Sequence, residues 1–168
     1  METIQNKVSQ SGPLTFNLED YYDTNARIVF DLKECLFMGL IIKEKEFREF
    51  IKTNDWELFR NANVAIICSA DAIVPTWAFM LIASKLSGIA NHFAFGDLTN
   101  LENSLFQNAL SKIDIDAFRN QKVVIKGCGN LPITTNAYVE ISRLLLPVVS
   151  SIMYGEPCST VPVFKRKL

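Results

Sequence analysis

Residues 63–97 read NVAIICSADAIVPTWAFMLIASKLSGIANHFAFGD. Val64–Ile67 is apolar, rich in β-branched residues and too short for a helix, so it reads as a buried strand. Cys68, Ser69 and Asp71 form a turn. A long apolar stretch from about Val74 to Leu86 then predicts a helix, with Pro75 suited to its first turn and Gly88 to its end. His92–Phe95 reads as the next strand and stops at Gly96-Asp97.

The alternation continues downstream. Thr99 with Glu102 has capping-box spacing and opens a helix that runs to about Ser111. Ile113–Asn120 is a connector of about one helical turn, and Lys122–Lys126 is a third strand with Val-Val-Ile at its centre. From Thr135, residues Ile141, Leu144, Leu145, Val148, Val149, Ile152 and Met153 keep helical spacing, with a kink or break expected at Pro147. Gly155 and Pro157 end that helix. Upstream, Arg27–Asp31 is a strand, and Lys43–Lys52 is an amphipathic helix presenting Phe47, Phe50 and Ile51. The apolar stretch 36–42 has no decisive period. Residues 1–26 read as irregular, with one extended piece near Pro13–Phe16, and no internal repeat is evident.

Strands alternating with helices imply parallel strands joined by right-handed crossovers. The expectation is a single α/β domain over residues 1–168: three layers, a mostly parallel sheet with crossover helices, and one or two N-terminal edge strands.

Composition narrows the function. The chain has 168 residues, 49% hydrophobic and 21% charged, with a formal net charge of −1. The one basic cluster, Lys165-Arg166-Lys167, reads as a solvated tail. That balance argues against a nucleic-acid protein held by phosphate neutralisation. The opening METIQNKVSQSG is polar and does not read as a signal peptide. No apolar run reaches the roughly 18–20 residues of a membrane span. A cytoplasmic location is therefore expected, where Cys35, Cys68, Cys128 and Cys158 would be free, metal-bound or reactive rather than disulfide-bonded.

In an open parallel sheet, ligands bind outside the carboxyl ends of the strands. There this chain places Cys68, Ser69 and Asp71, then Asp97, then Cys128 between Gly127 and Gly129. With the strand order 2-1-3, the strands ending at Cys68 and Cys128 would be neighbours about 4.8 Å apart. Those two thiols could then share one metal. Thiolates suit zinc, copper(I) or an iron–sulfur cluster. Cys68, preceding a helix, is the better nucleophile candidate because a helix N-terminus favours the thiolate. Gly127 and Gly129 allow close backbone approach to a ligand. Asp71 and Asp97 would add a ligand or orient a thiol, or else serve only as helix cap and turn. Cys35 and His92 read as structural. Cys158 is a third thiol candidate. A continuous final helix would carry it to the opposite edge, whereas a strand over Val148–Met153, less favoured by the period, would bring it back. GxGxxG, P-loop, HExxH and GxSxG motifs are all missing.

The segments WELFRNANVAIICSADAIVPTWAFML, FGDLTNLENSLFQNAL and VVIKGCGNLPITTNAYVEISRLLLPVVSSIMYGEPCSTVPVFKR resemble a Bacteroidetes family catalogued as domain of unknown function 2480. The likeness covers about Asn6 to Lys167 and includes Cys68, Asp71 and Cys158. It implies no established activity.

Two expectations follow. The first is a cysteine-containing pocket at the strand carboxyl edge that binds a soft metal or handles sulfur or iron–sulfur cargo, with zinc or a cluster as cofactor. The second is a homodimeric interaction protein with buried cysteines, whose contact is made by segment 36–42 and the helix 135–154.

Overall fold

A computed structural model describes residues 12–127, 129–156 and 158–167. Along these, β1 (Leu14–Phe16), β2 (Arg27–Asp31), α1 (Glu44–Thr53), β3 (Asn63–Ile67), α2 (Thr76–Leu86), β4 (His92–Phe95), α3 (Leu98–Leu110), β5 (Lys122–Ile125), α4 (Thr135–Leu145), β6 (Ser151–Glu156) and β7 (Ser159–Lys165) follow one another. The α/β class read from the sequence is the observed one. The chain divides into two compact units, a central one over Asp23–Leu105 and a split one made of Met1–Tyr22 with Phe106–Leu168.

The strands form two sheets rather than one. The central unit orders its strands β2-β3-β4, all parallel, and the split unit orders β1-β5-β6-β7. The expected neighbour relation between strands 63–67 and 122–125 is therefore not found.

In the central unit, α2 buries Ala78, Ile82 and Leu86, one residue every four, against Val64 and Ile66. Each fully buried Ile or Leu contributes about 1.5–3 kcal/mol. α1 adds Phe47 and Ile51 to the same cluster. At the amino edge of this sheet, buried Asn63 donates to Asp23 (2.8 Å) and accepts from Asn91 (2.8 Å). A buried amide satisfied on both sides pins the edge instead of straining it.

In the split unit β1, β5 and β6 are parallel, and β7 returns antiparallel to β6. α4 buries Ala137, Ile141 and Leu145 and is capped by Thr134, whose hydroxyl accepts from the Ala137 amide. The sequence reading carried this helix to about residue 153; in the structure it ends at Leu145. Pro147 has no N–H to donate and its ring would strike the carbonyl four residues back. Beyond it the apolar residues serve a strand, with Ile152 buried.

The two units are copies of one plan, which the sequence reading missed. Adding 59 to a residue number carries α2 (Thr76–Leu86) onto α4 (Thr135–Leu145), and the short 3₁₀ turn Trp56–Phe59 onto Ile115–Phe118. The same shift matches Phe59-Arg60-Asn61 with Phe118-Arg119-Asn120, Val64 with Val123, Ile66 with Ile125, Ala78, Ile82 and Leu86 with Ala137, Ile141 and Leu145, and Gly96 with Gly155. Backbone detail follows. Asn61 and Asn120 both have φ of 58°, Gly96 and Gly155 both have positive φ, and Asp55 and Asp114 each cap the matched turn. A shift of 14 carries Phe16-Asn17-Leu18 onto Phe30-Asp31-Leu32, and the register agrees, Phe16 facing Ile125 as Phe30 faces Ile66. The first strand of the split copy thus precedes the whole central copy in sequence.

Candidate functional site

Because β1, β5 and β6 run parallel, residues after their last positions gather at one edge of the split unit's sheet. A cleft of about 490 Å³ lies there. Asn17 and Glu19 enter it from the end of β1, Lys126, Gly127 and Gly129 from the end of β5, Tyr154 from β6 and Tyr138 from α4. Asn17 sits there because its side-chain oxygen caps a 3₁₀ turn, accepting from the Glu19 amide. That turn aims Glu19 at the loop after β5, where its Oε1 accepts from the Leu131 N–H at 2.8 Å. Tyr154 donates its hydroxyl to the Gly127 carbonyl (3.1 Å) and meets Tyr138 edge-on at 5.7 Å.

The glycines on either side of Cys128 now have separate reasons. A Cβ on Gly127 would run into the Tyr154 ring, and one on Gly129 would collide with the Glu19 carboxylate. Residue 128 itself lies outside the described residues. Lys126 makes no ion pair among the described residues.

Cys158 belongs to this same edge. With β6 a strand, Cys158 falls in the turn between Glu156 and Ser159, past the carboxyl end of β6, and is exposed. That corrects the helical reading, which sent it to the opposite edge. It is not among the residues that line the cleft.

The other expected residues belong to the central unit. Cys68 follows β3, is half-buried in the apolar cluster that also contacts Cys35, and donates weakly to the Ala70 carbonyl (3.7 Å). It is not at a helix N-terminus, since α2 starts only at Thr76, so the helix dipole that was to activate it does not reach. Ser69 is fixed by Asp31, donating both its amide (3.0 Å) and its hydroxyl (2.5 Å) to that carboxylate. Desolvation raises the Asp31 pKa, but those two bonds, the Lys33 amide and the Lys33 charge outweigh it and hold the carboxyl below its usual value. Burial pushes the Cys35 thiol up to about 11, with smaller contributions from Glu34, Asp31 and Cys68. Asp71 is exposed and does not cap α2, whose N-cap is Pro75. Asp97 starts α3, exchanging bonds with Asn100: its carboxylate accepts the Asn100 amide at 2.9 Å, and its own amide donates to Asn100 Oδ1 at 3.2 Å. This replaces the expected Thr99–Glu102 box. Glu102 instead makes a two-pronged bond to Arg27.

Reading by residue type did not pick out Asn17, Glu19, Lys126, Tyr138 or Tyr154. The signal that finds most of them is the duplication. At matched positions the central unit has Ile67, Cys68, Ala70, Phe79 and Phe95 where the split unit has Lys126, Gly127, Gly129, Tyr138 and Tyr154. What differs between the copies at these positions is the polar, glycine-lined cleft of the split unit. Among the described residues, no group of three or more His, Cys, Asp or Glu is placed to hold a metal ion. No helix among them is long and apolar enough to cross a membrane.

Over residues 2–166 the sequence matches the family described as "Protein of unknown function (DUF2480)", and the chain belongs to that family. No curated protein and no solved structure matches it.

Proposed function

We propose that the split unit is a small-molecule binding module whose cleft brings a cargo to the thiol of Cys128. The cargo is a sulfur-bearing or otherwise soft group. The observation that carries this reading is the contrast between the two copies. One copy has Ile67, Cys68, Ala70, Phe79 and Phe95 at the matched positions; the other has a cleft with a lysine, two tyrosine rings and glycines on both sides of a cysteine. A nearby cation favours thiolate over thiol, which is the nucleophilic and sulfur-carrying form. Lys126, two residues before Cys128, is the cation that supplies this. Cys158 lies past the end of the next strand, at the edge that also bears the cleft. Binding of zinc or an iron–sulfur cluster is the weaker form of the reading, because Cys68, the expected second ligand, belongs to the other sheet.

Mass spectrometry of the native protein under limiting iodoacetamide at neutral pH tests the proposal. Cys128 is expected to alkylate faster than exposed Cys158, and several-fold more slowly in Lys126→Met. A Cys128 no faster than Cys158, or indifferent to Lys126→Met, overturns it.

One observation favours an interaction role beside this. Residues 36–42 form a tip closed by the bridge Phe37–Ile41, with Met38 and Gly39 at positive φ and a further bridge from Ile41 to Ile73. Met38 is 80% exposed and Ile73 84% exposed. Contiguous apolar surface of this kind marks contact sites. In this reading the tip joins two copies of the chain. Light scattering would then give a dimer that Met38→Asp converts to monomer; a monomeric wild-type chain refutes it.

A further inference from the structure

We infer that the split unit's cleft takes its ligand through a carboxylate, and that Glu19 occupies the carboxylate's seat until the ligand arrives. This rests on the reading of that cleft as the binding site and adds the ligand's chemical class and a gate.

The seat is the Leu131 amide. It is already bonded to a carboxylate oxygen, Glu19 Oε1 at 2.8 Å, and Gly129 leaves open the space that a Cβ would take from that carboxylate. Beside it Lys126 lines the cleft without an ion-pair partner among the described residues. The Tyr154 hydroxyl has spent its proton on the Gly127 carbonyl. Lys126 and the Leu131 N–H are both complementary to an oxyanion. Leu131, Pro132 and Ile133 supply an apolar wall for a carbon skeleton. The arrangement is not a by-product of the fold, because the matched positions in the central unit hold Lys33 for Glu19, Ile67 for Lys126 and Ala70 for Gly129.

Exchange is balanced. The ligand carboxylate takes the Leu131 N–H, Glu19 returns to water, and the new contact is the pairing with Lys126. Glu19 is therefore a competitor, and weakening it as an acceptor should tighten binding.

Titration of the full chain with succinate, and separately with inorganic phosphate, at fixed ionic strength and followed by backbone amide resonances, tests this. Succinate is expected to give saturable shifts at Gly129 and Leu131. Glu19→Gln should lower its Kd by about tenfold, as one charge-assisted bond becomes a neutral one. Lys126→Met should raise the Kd by a similar factor. Shifts that never saturate, an unchanged Kd in Glu19→Gln, or tighter binding of phosphate than succinate each overturn the inference. Saturable succinate binding alongside a sluggish Cys128 would remove the thiol reading and keep this one; fast Cys128 alkylation without succinate binding would do the reverse.

Discussion

Replacing Gly129 by alanine should be harmful or helpful depending on a residue far away in sequence. The added Cβ meets only the end of the Glu19 side chain, which is flexible and can swing aside. The cost is then the bond Glu19 makes to the Leu131 N–H, not a rigid clash. A hydrogen bond to a charged group is worth about 1.5–3 kcal/mol, and at this partly exposed site about 1–2 is the better figure. Against it stands the entropic gain of Gly→Ala, about 0.4–1 kcal/mol where the backbone tolerates it. Gly129→Ala alone should therefore destabilise by roughly 0.5–1 kcal/mol. In a Glu19→Ala background the bond is already gone, so the same substitution should stabilise by about 0.4–1 kcal/mol. Urea unfolding of the four proteins in this double-mutant cycle measures the change of sign. Equal destabilisation in both backgrounds would refute the account of why residue 129 is glycine.

Gly127→Ala meets the ring of Tyr154, which is held by its hydroxyl bond and by Tyr138, so overpacking should cost about 1–3 kcal/mol with no rescue from Glu19→Ala; thermal unfolding checks this. Cys35 should resist iodoacetamide at pH 8 far more than exposed Cys158, and the difference should vanish in denaturant. Its pKa is raised in the folded chain, from 9.0 to about 11, so the protonated form is favoured by folding. The contribution is complete below pH 9 and is lost as pH rises towards 11; Cys35→Ala should flatten that part of the stability–pH curve. Glu102→Gln, which breaks a two-pronged and largely buried pair with Arg27, should cost about 1.5–3 kcal/mol in urea unfolding.

The α/β alternation was legible because Val64–Ile67, Val74–Leu86 and His92–Phe95 are runs whose lengths and punctuation separate strand from helix. The end of α4 was not. Ile141 to Met153 keeps a helical period across Pro147, so the period alone carries the helix on, whereas the chain breaks at the proline and pairs its next residues with β5. The carboxyl-edge rule led to Gly127 and Gly129. It could not say that β3 and β5 are in different sheets, because strand order depends on contacts between distant segments. Glu19 and Tyr154 were invisible to it, having no motif around them. The repeat escaped notice because the identities are sparse and the matching first strand, β1, is separated from β5 by the whole central copy.

That placement of β1 bears on how the protein is made. The central copy is contiguous, Asp23–Leu105, and can fold as soon as it clears the ribosome. Leu14–Phe16, synthesised earlier, must wait unpaired until Val123–Ile125 emerges, and β6 and β7 come later still. Closing so long a loop costs little extra free energy but much time. The edge bearing the cleft thus forms only once β5 and β6 have been made, around a first strand synthesised before the whole central copy.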